Sequence, residues 1–302
     1  VSEGILNRSR SKNKHNLITH FPRDPDCEVC QRARYQRQYQ LSKPQLPPET
    51  RVPPLAFGEA LVADHKTLYT FKSKDGDAVL LIVLDRFTQW LQAYACTSKE
   101  ALNVSEGIKN FMGGAKAGHL YTDVAPEFGV AARELQIAWD TCQAHVKESN
   151  GIMERTVCRV SEGTKCQTVQ CGLADVWWNV AAADYCFVRC VYDILECGKT
   201  AYEKRFHKPF RTATNKPVPI YPFGCEVRYV SPDPQKRSLQ HPLGNQMRQG
   251  LFVGFAQKYG GDWDKELFLV VDKDDLESAP TARKVHIFNC LLYTSPSPRD
   301  RG

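Results

Sequence analysis

Between residues 57 and 98 the apolar residues come in short runs separated by polar turns. The segments GEALVADHKTLYTF, AVLLIVLDRFTQW and LQAYACTS predict three successive strands, with Asp75-Gly76 forming the first turn. Over 99–112 the spacing changes: Ala101, Val104, Ile108 and Met112 recur at a helical period, and Gly113-Gly114 stops it. HLYTD predicts a short buried strand, and helices follow over 127–136, 150–169 and 175–195. Near the end, EVRYVSP, QGLFVGFA and ELFLVVDK predict short strands broken by Asp, Pro and Gly, as in a small antiparallel barrel. No internal repeat is visible. The longest unbroken apolar run, 78–84, has seven residues, against the roughly 20 that a membrane helix needs. The richer stretch 176–195 is interrupted by Asn179, Asp184, Arg189 and Asp193. The pattern excludes a membrane span.

Proline marks the boundaries. Pro44, Pro47, Pro48, Pro53 and Pro54 lie within eleven residues, an extended linker, and 209–222 is again proline-rich. The chain therefore divides into a basic N-terminal segment with a His/Cys motif (1–43), a proline-rich linker (44–56), a core (57–200), a second linker (201–223) and a small barrel-like domain (224–290). The last twelve residues, LLYTSPSPRDRG (291–302), resemble translated sequencing-adapter read-through and are set aside as non-native. The first residue is Val1 rather than Met, as in a fragment or processed piece.

Composition, at 42% hydrophobic and 25% charged, is that of a folded protein. Charge is uneven: residues 1–56 hold ten Lys/Arg and five Asp/Glu, +5 of the total +6. A basic appendage of this kind suits a polyanionic partner such as nucleic acid, or is simply a solvated tail. Of twelve cysteines only Cys27 and Cys30 have a recognisable spacing, and the polar, basic start lacks the apolar stretch of a secretion signal. Reduced thiols plus one metal site fit this better than a disulfide scaffold.

The candidate metal site lies in HNLITHFPRDPDCEVC. His15, His20, Cys27 and Cys30 offer two imidazoles and two thiolates, a tetrahedral zinc set. Only six residues separate His20 from Cys27, so the site would be a reduced knuckle; the alternative is unligated thiols beside surface histidines. In the core, the order β-β-β-α-β-α-(β)-α describes an α/β, ribonuclease H-like fold, a mixed five-stranded sheet with helices. Catalysts of this fold set carboxylates at the ends of adjacent central strands and on a facing helix. The candidates are Asp64 in LVADHK, Asp123 in HLYTDVAPEF and Glu154 in SNGIMERT. Phosphodiester transfer uses two divalent cations roughly 3.5–4 Å apart. Mg²⁺ takes oxygen ligands, so carboxylates on rigid elements make its cradle. His65 follows Asp64 and reads as structural; His119, His145, His207, His241 and His286 show no partner in the sequence. Trp177 and Trp178 lie in an apolar helix and supply core.

These motifs carry a resemblance. IVLDRFTQWLQAYA, YTDVAPEF and SNGIMER resemble the catalytic core of retroviral and retrotransposon integrases. KTAYEKRFHKPF, YPFGCEVRYV and QGLFVGFA resemble the post-core region of copia-type elements, so the likeness runs from about residue 15 to 290. There are departures. The 30 residues from 124 to 153 make a shorter interval than that family's, and Val124-Ala125 stands where it has asparagine-glycine. Glu148 is a second choice for the third carboxylate, without the glycine-to-helix context of Glu154.

The resemblance implies Mg²⁺ or Mn²⁺ at Asp64, Asp123 and Glu154, zinc at the His/Cys segment, and DNA phosphate contacts from Arg155 and Arg159. It also implies 3′-end processing and strand transfer on DNA (element ends and target), a homo-oligomer, and origin in a Gag-Pol type polyprotein. The protein would act in the nucleus and otherwise be cytoplasmic. Two other readings remain: an inactive or domesticated nucleic-acid-binding remnant, and a ribonuclease H-like nuclease without transfer activity.

Overall fold

The computed structural model describes residues 15–24, 26–33, 53–141, 151–238, 241, 243–244 and 246–292. After the short helix α1 (Glu28–Ala33), three antiparallel strands follow, β1 (Leu61–Thr67), β2 (Val79–Asp85) and β3 (Leu91–Cys96). Every residue of β2 is buried, which is why VLLIVLD reads as a continuous apolar run rather than an alternation. Its terminal Asp85 is buried but satisfied: its carboxylate accepts from Gly58 N and from the Thr88 amide and hydroxyl.

Helix α2 (Ala101–Met112) crosses to β4 (His119–Thr122), which is parallel to β1. Helix α3 (Pro126–Leu135) begins on a proline and ends on Gln136 at φ 56, then leads to β5 (Ala138–Thr141), parallel to β4. The sheet order is β3-β2-β1-β4-β5. This mixed five-stranded sheet is the ribonuclease H-like arrangement, with β1 at its centre. Two longer helices follow, α4 (Gly151–Cys171) and α5 (Trp178–Tyr192), then α6 (Ala201–Phe206).

The C-terminal region contains β6 (Glu226–Tyr229), α7 (Pro234–Ser238), β7 (Arg248–Gln257), β8 (Trp263–Asp272), α8 (Lys273–Ser278) and β9 (Ile287–Cys290). Its sheet is an antiparallel meander, β6-β7-β8-β9. Of the expected small barrel the structure has this four-stranded meander, curled by two register shifts in β7, with a single bridge from Tyr229 to Leu292 joining its edges. With four strands, of which β6 and β9 have four residues each, there is too little ladder to close fully.

The two sheets share one core. The Phe187 ring of α5 lies 5.0 Å from Phe255 of β7, and Phe210 lies 5.3 Å from Trp263. The segment 201–223, read as a linker from its prolines, supplies Tyr202, Tyr221 and Phe223 to buried clusters, and α6 is held by a capping box between Thr200 and Glu203. A second seam joins the β7–β8 turn to the end of α2. Gly113 (φ 59) and Gly260 (φ 91) approach so closely that a Cβ on Gly113 would sit 2.4 Å from the Gly260 Cα. Trp177 and Trp178 are both buried. None of the eleven described cysteines forms a disulfide. Among the described residues no helix is long and apolar enough to cross a membrane.

Candidate functional site

The register of the central strands places the first two carboxylates. β1 and β4 pair with Leu61 opposite Leu120 and Val62 opposite Tyr121. Carried two residues further, the same register sets Asp64 beside Asp123, at the point where β4 ends. Adjacent strands lie about 4.8 Å apart, so both carboxylates occupy one small area at the carboxyl edge of the sheet's middle. Alternation along β1 puts Asp64 and His65 on opposite faces. His65 stacks on Phe128 of α3 with ring centroids 4.7 Å apart, and its Nδ1 is 3.6 Å from Glu127 Oε1. Despite that carboxylate, burial and then Lys99 push the imidazole down to about 4, leaving it a neutral packing residue. The Asp64 face of the sheet is covered by α4, whose first turn carries Glu154 beside buried Met153.

Electrostatics ties the three acids together. The Asp64 carboxyl is pushed up to about 6, first by burial, with the charges of Asp123 and Glu154 adding to it; the His65 backbone N–H (2.7 Å) and Lys99 oppose the rise. Burial raises Asp123 as well, with Glu127 adding and Lys99 opposing. The end of β4 is braced from β5: Trp139 Nε1 donates to Thr122 Oγ1 (2.9 Å), and that hydroxyl donates to the Asp123 carbonyl (2.8 Å).

The donor set fits a hard cation. All three side chains offer only carboxylate oxygen, two of them resist ionisation where they stand, and Asp123 Oδ1 is buried with no hydrogen-bond partner. Asp64, Asp123 and Glu154 are the residues that would hold Mg²⁺ or Mn²⁺. Lys99, in the β3–α2 connection, is the site cation that sequence reading missed; nothing in its local pattern signals that the chain returns it to Asp64 and Asp123.

The two arginines of α4 diverge. Arg155 is exposed and donates from Nε to the Gly151 carbonyl (2.8 Å). Arg159 turns inward: its guanidinium lies 5.8 Å from the Phe21 ring, and burial, then the neighbouring Arg189, lower its pKa.

The N-terminal motif forms a second cluster. The ligand atoms of His15, His20, Cys27 and Cys30 all lie within 4.8 Å of one another. Among the described residues the three carboxylates form no comparably tight group. The His15 ring uses Nδ1 toward the Pro22 carbonyl (2.7 Å), and its Nε2 is buried without a partner. His20 Nδ1 is 3.6 Å from Cys27 Sγ and 3.7 Å from Cys30 Sγ. Two soft sulfurs, two ring nitrogens and one orphaned, inward nitrogen fit zinc.

No protein-family model matches the sequence, and no curated protein matches it. Among solved structures, the HTLV-2 integrase catalytic core domain in complex with magnesium aligns at 16% identity and TM-score 0.40, over 50% of this chain and 98% of that one. The BIV integrase catalytic core domain gives 16% and 0.38, over 48% and 92%. A chain of the simian T-cell lymphotropic virus intasome in complex with PP2A regulatory subunit B56 gamma gives 15% and 0.40, over 81% and 84%. These likenesses are distant, and the fold rests on the chain's own topology. By its strand order and strand directions, this chain has a ribonuclease H-like core, with a His/Cys segment packed on its longest described helix.

Proposed function

We propose that this chain is a retroelement integrase of the copia type, derived from a Gag-Pol polyprotein and acting as a homo-oligomer on DNA in the nucleus. It would remove terminal nucleotides from element ends and then join the 3′-hydroxyl to target DNA. The observation that carries the reading is the β1–β4 register, which sets Asp64 beside Asp123, with Glu154 on the helix that covers them.

Asp64, Asp123 and Glu154 are the residues that would hold the metal ions. Bound Mg²⁺ or Mn²⁺ would supply Lewis-acid activation of the attacking oxygen and charge neutralisation at the leaving oxygen. The protein's own part is positioning. The two aspartates sit on paired strands, Trp139 and Thr122 hold the end of β4, and Lys99 supplies positive charge while the acids are unligated. Arg155, exposed on the same helix, would meet a DNA phosphate. Arg159 would reach DNA only if the N-terminal segment moved off it. The His/Cys knuckle is proposed to hold zinc and to support assembly, and the C-terminal sheet to touch DNA without sequence preference.

The test is joining and cleavage on a branched DNA substrate by the full chain, beside Glu154→Gln. Activity that requires Mg²⁺ or Mn²⁺ and vanishes in the variant is the expected result. Equal DNA binding without turnover in both proteins would replace the reading with that of an inactive remnant. Cleavage without any joining would replace it with that of a nuclease.

A further inference from the structure

The His/Cys knuckle is seated on the far end of the helix that presents Glu154. α1 packs on α4, and Thr19 Oγ1 donates to Asp193 Oδ1 (3.2 Å). The Phe21 ring lies 4.9 Å from the Arg189 guanidinium and 5.8 Å from that of Arg159. The most specific tie comes from Gln170, the penultimate residue of α4. Its Oε1 is 3.2 Å from His20 Nε2, and its Nε2 donates to the Leu17 carbonyl (3.3 Å).

These two contacts determine each other. The Leu17 carbonyl can only accept, so the amide nitrogen must face it and the amide oxygen must face His20. An amide oxygen accepts only, so His20 carries its proton on Nε2. The lone pair is then left on Nδ1, the atom that faces both cysteine sulfurs. A metal-ligating histidine is ordinarily held in this way by an acceptor on its other nitrogen.

We propose that Gln170 is the outer-shell residue of the zinc site: it fixes the ligating tautomer of His20 and so couples zinc occupancy to the C-terminal end of α4. The proposal rests on the zinc reading above. Glu154 and Gln170 are sixteen residues apart, about 24 Å along the axis, so one helix joins the two sites end to end. Gln170 is a positioning residue and touches no substrate.

The test uses the full chain, stripped by chelation and titrated with Co²⁺ as the optical probe, then with Zn²⁺ against a chromophoric chelator. Wild type should take one ion with thiolate charge-transfer absorption. Gln170→Leu should bind about 10–100-fold more weakly with unchanged far-ultraviolet circular dichroism. Gln170→Glu keeps the acceptor and loses the donor, and should bind at or above wild-type strength. Amide exchange over the last turns of α4 should slow on zinc addition in wild type and much less in Gln170→Leu. Wild-type affinity in Gln170→Leu, or an equal loss in Gln170→Glu, would overturn the role of Gln170 while leaving the zinc site intact. A wild-type chain that takes up no metal would overturn the zinc reading itself, and the proposal with it.

Discussion

Asp64→Asn tests whether the acidic site is built for a cation or for the fold. In the metal-free protein the Asp64 carboxyl is raised from 3.8 to about 6, so its ionised form is disfavoured in the folded state. Two units correspond to about 3 kcal/mol. Asp64 keeps some access to solvent, which screens the interaction and reduces the figure to about 1–2 kcal/mol. A group whose folded-state pKa is raised contributes stability below its unfolded pKa, and that contribution is lost as pH rises through the folded value. The loss therefore falls between about pH 4 and pH 6 and is complete at pH 8. Asparagine has nearly the same shape, cannot ionise, and its oxygen still accepts from the His65 backbone N–H. In EDTA at pH 8 the variant should be more stable by about 1–2 kcal/mol in urea, with Tm higher by about 2–5 °C. At pH 4 the difference should vanish. Millimolar Mg²⁺ should raise the Tm of wild type and leave that of the variant unchanged, while DNA joining is lost. A variant as stable as wild type or less stable at pH 8 without metal would refute the reasoning, because the carboxylate would then be serving the fold.

Two further predictions concern the seam behind the site. Asp184 of α5 is fully buried, accepts from Gln167 Nε2 (2.9 Å), and is pushed up to about 7 by burial. Wild-type stability should fall by about 4 kcal/mol between pH 4 and pH 7 on its account, and Asp184→Asn should flatten that slope in urea titrations. On α4, a Cβ at Gly163 would lie 2.0 Å from Tyr185 Cζ, so Gly163→Ala should destabilise by about 1–3 kcal/mol in urea despite alanine's better helix propensity.

What could be read from the sequence follows from how local each signal is. The seven buried residues of β2 and the helical period of α2 are written in consecutive residues, as are the segments that carry Asp123 just past β4 and Glu154 in the first turn of α4, whereas Asp64, expected at a strand end, stands in the middle of β1. β5 escaped placement because AWDT is short, at the sheet edge, and only partly covered, so it carries no apolar run. The prolines of 209–222 fix chain direction but say nothing of packing, which is why Phe210 turns up in the aromatic core where a spacer was expected. The Asp/Pro/Gly breaks of the last third mark strands correctly, yet closure into a barrel depends on strand length and register, which the breaks do not encode. Lys99 and Gln170 matter only through residues far off in sequence, 24 positions away for Asp123 and 150 for His20, and no window pattern could reveal them. The contact of Arg159 with Phe21 was equally hidden, because it joins residues 138 positions apart.

The composition of α4 explains how one helix could serve both proposed sites. Its buried face mixes Met153, Val160 and Cys166 with the smaller or polar Thr156, Gly163, Thr164, Gln167 and Thr168. The hydroxyls of Thr156 and Thr164 donate back to the carbonyls of Ile152 and Val160, each at 2.8 Å, so they are buried without cost to neighbouring elements. Small, internally satisfied residues let α5 approach closely, and the Tyr185 ring fills the space over Gly163. That close seam holds the helix along its middle and leaves its two ends for chemistry, Glu154 at one and Gln170 at the other. On the proposed reading, a helix clamped in this way would carry a change at the zinc end along its length. Gly163→Ala, by prising α4 from α5, should therefore weaken the dependence of Mg²⁺-stimulated joining on zinc as well as lower stability. If joining responded to zinc as strongly in Gly163→Ala as in wild type, the two sites would have to communicate through DNA or a second subunit instead of through this helix.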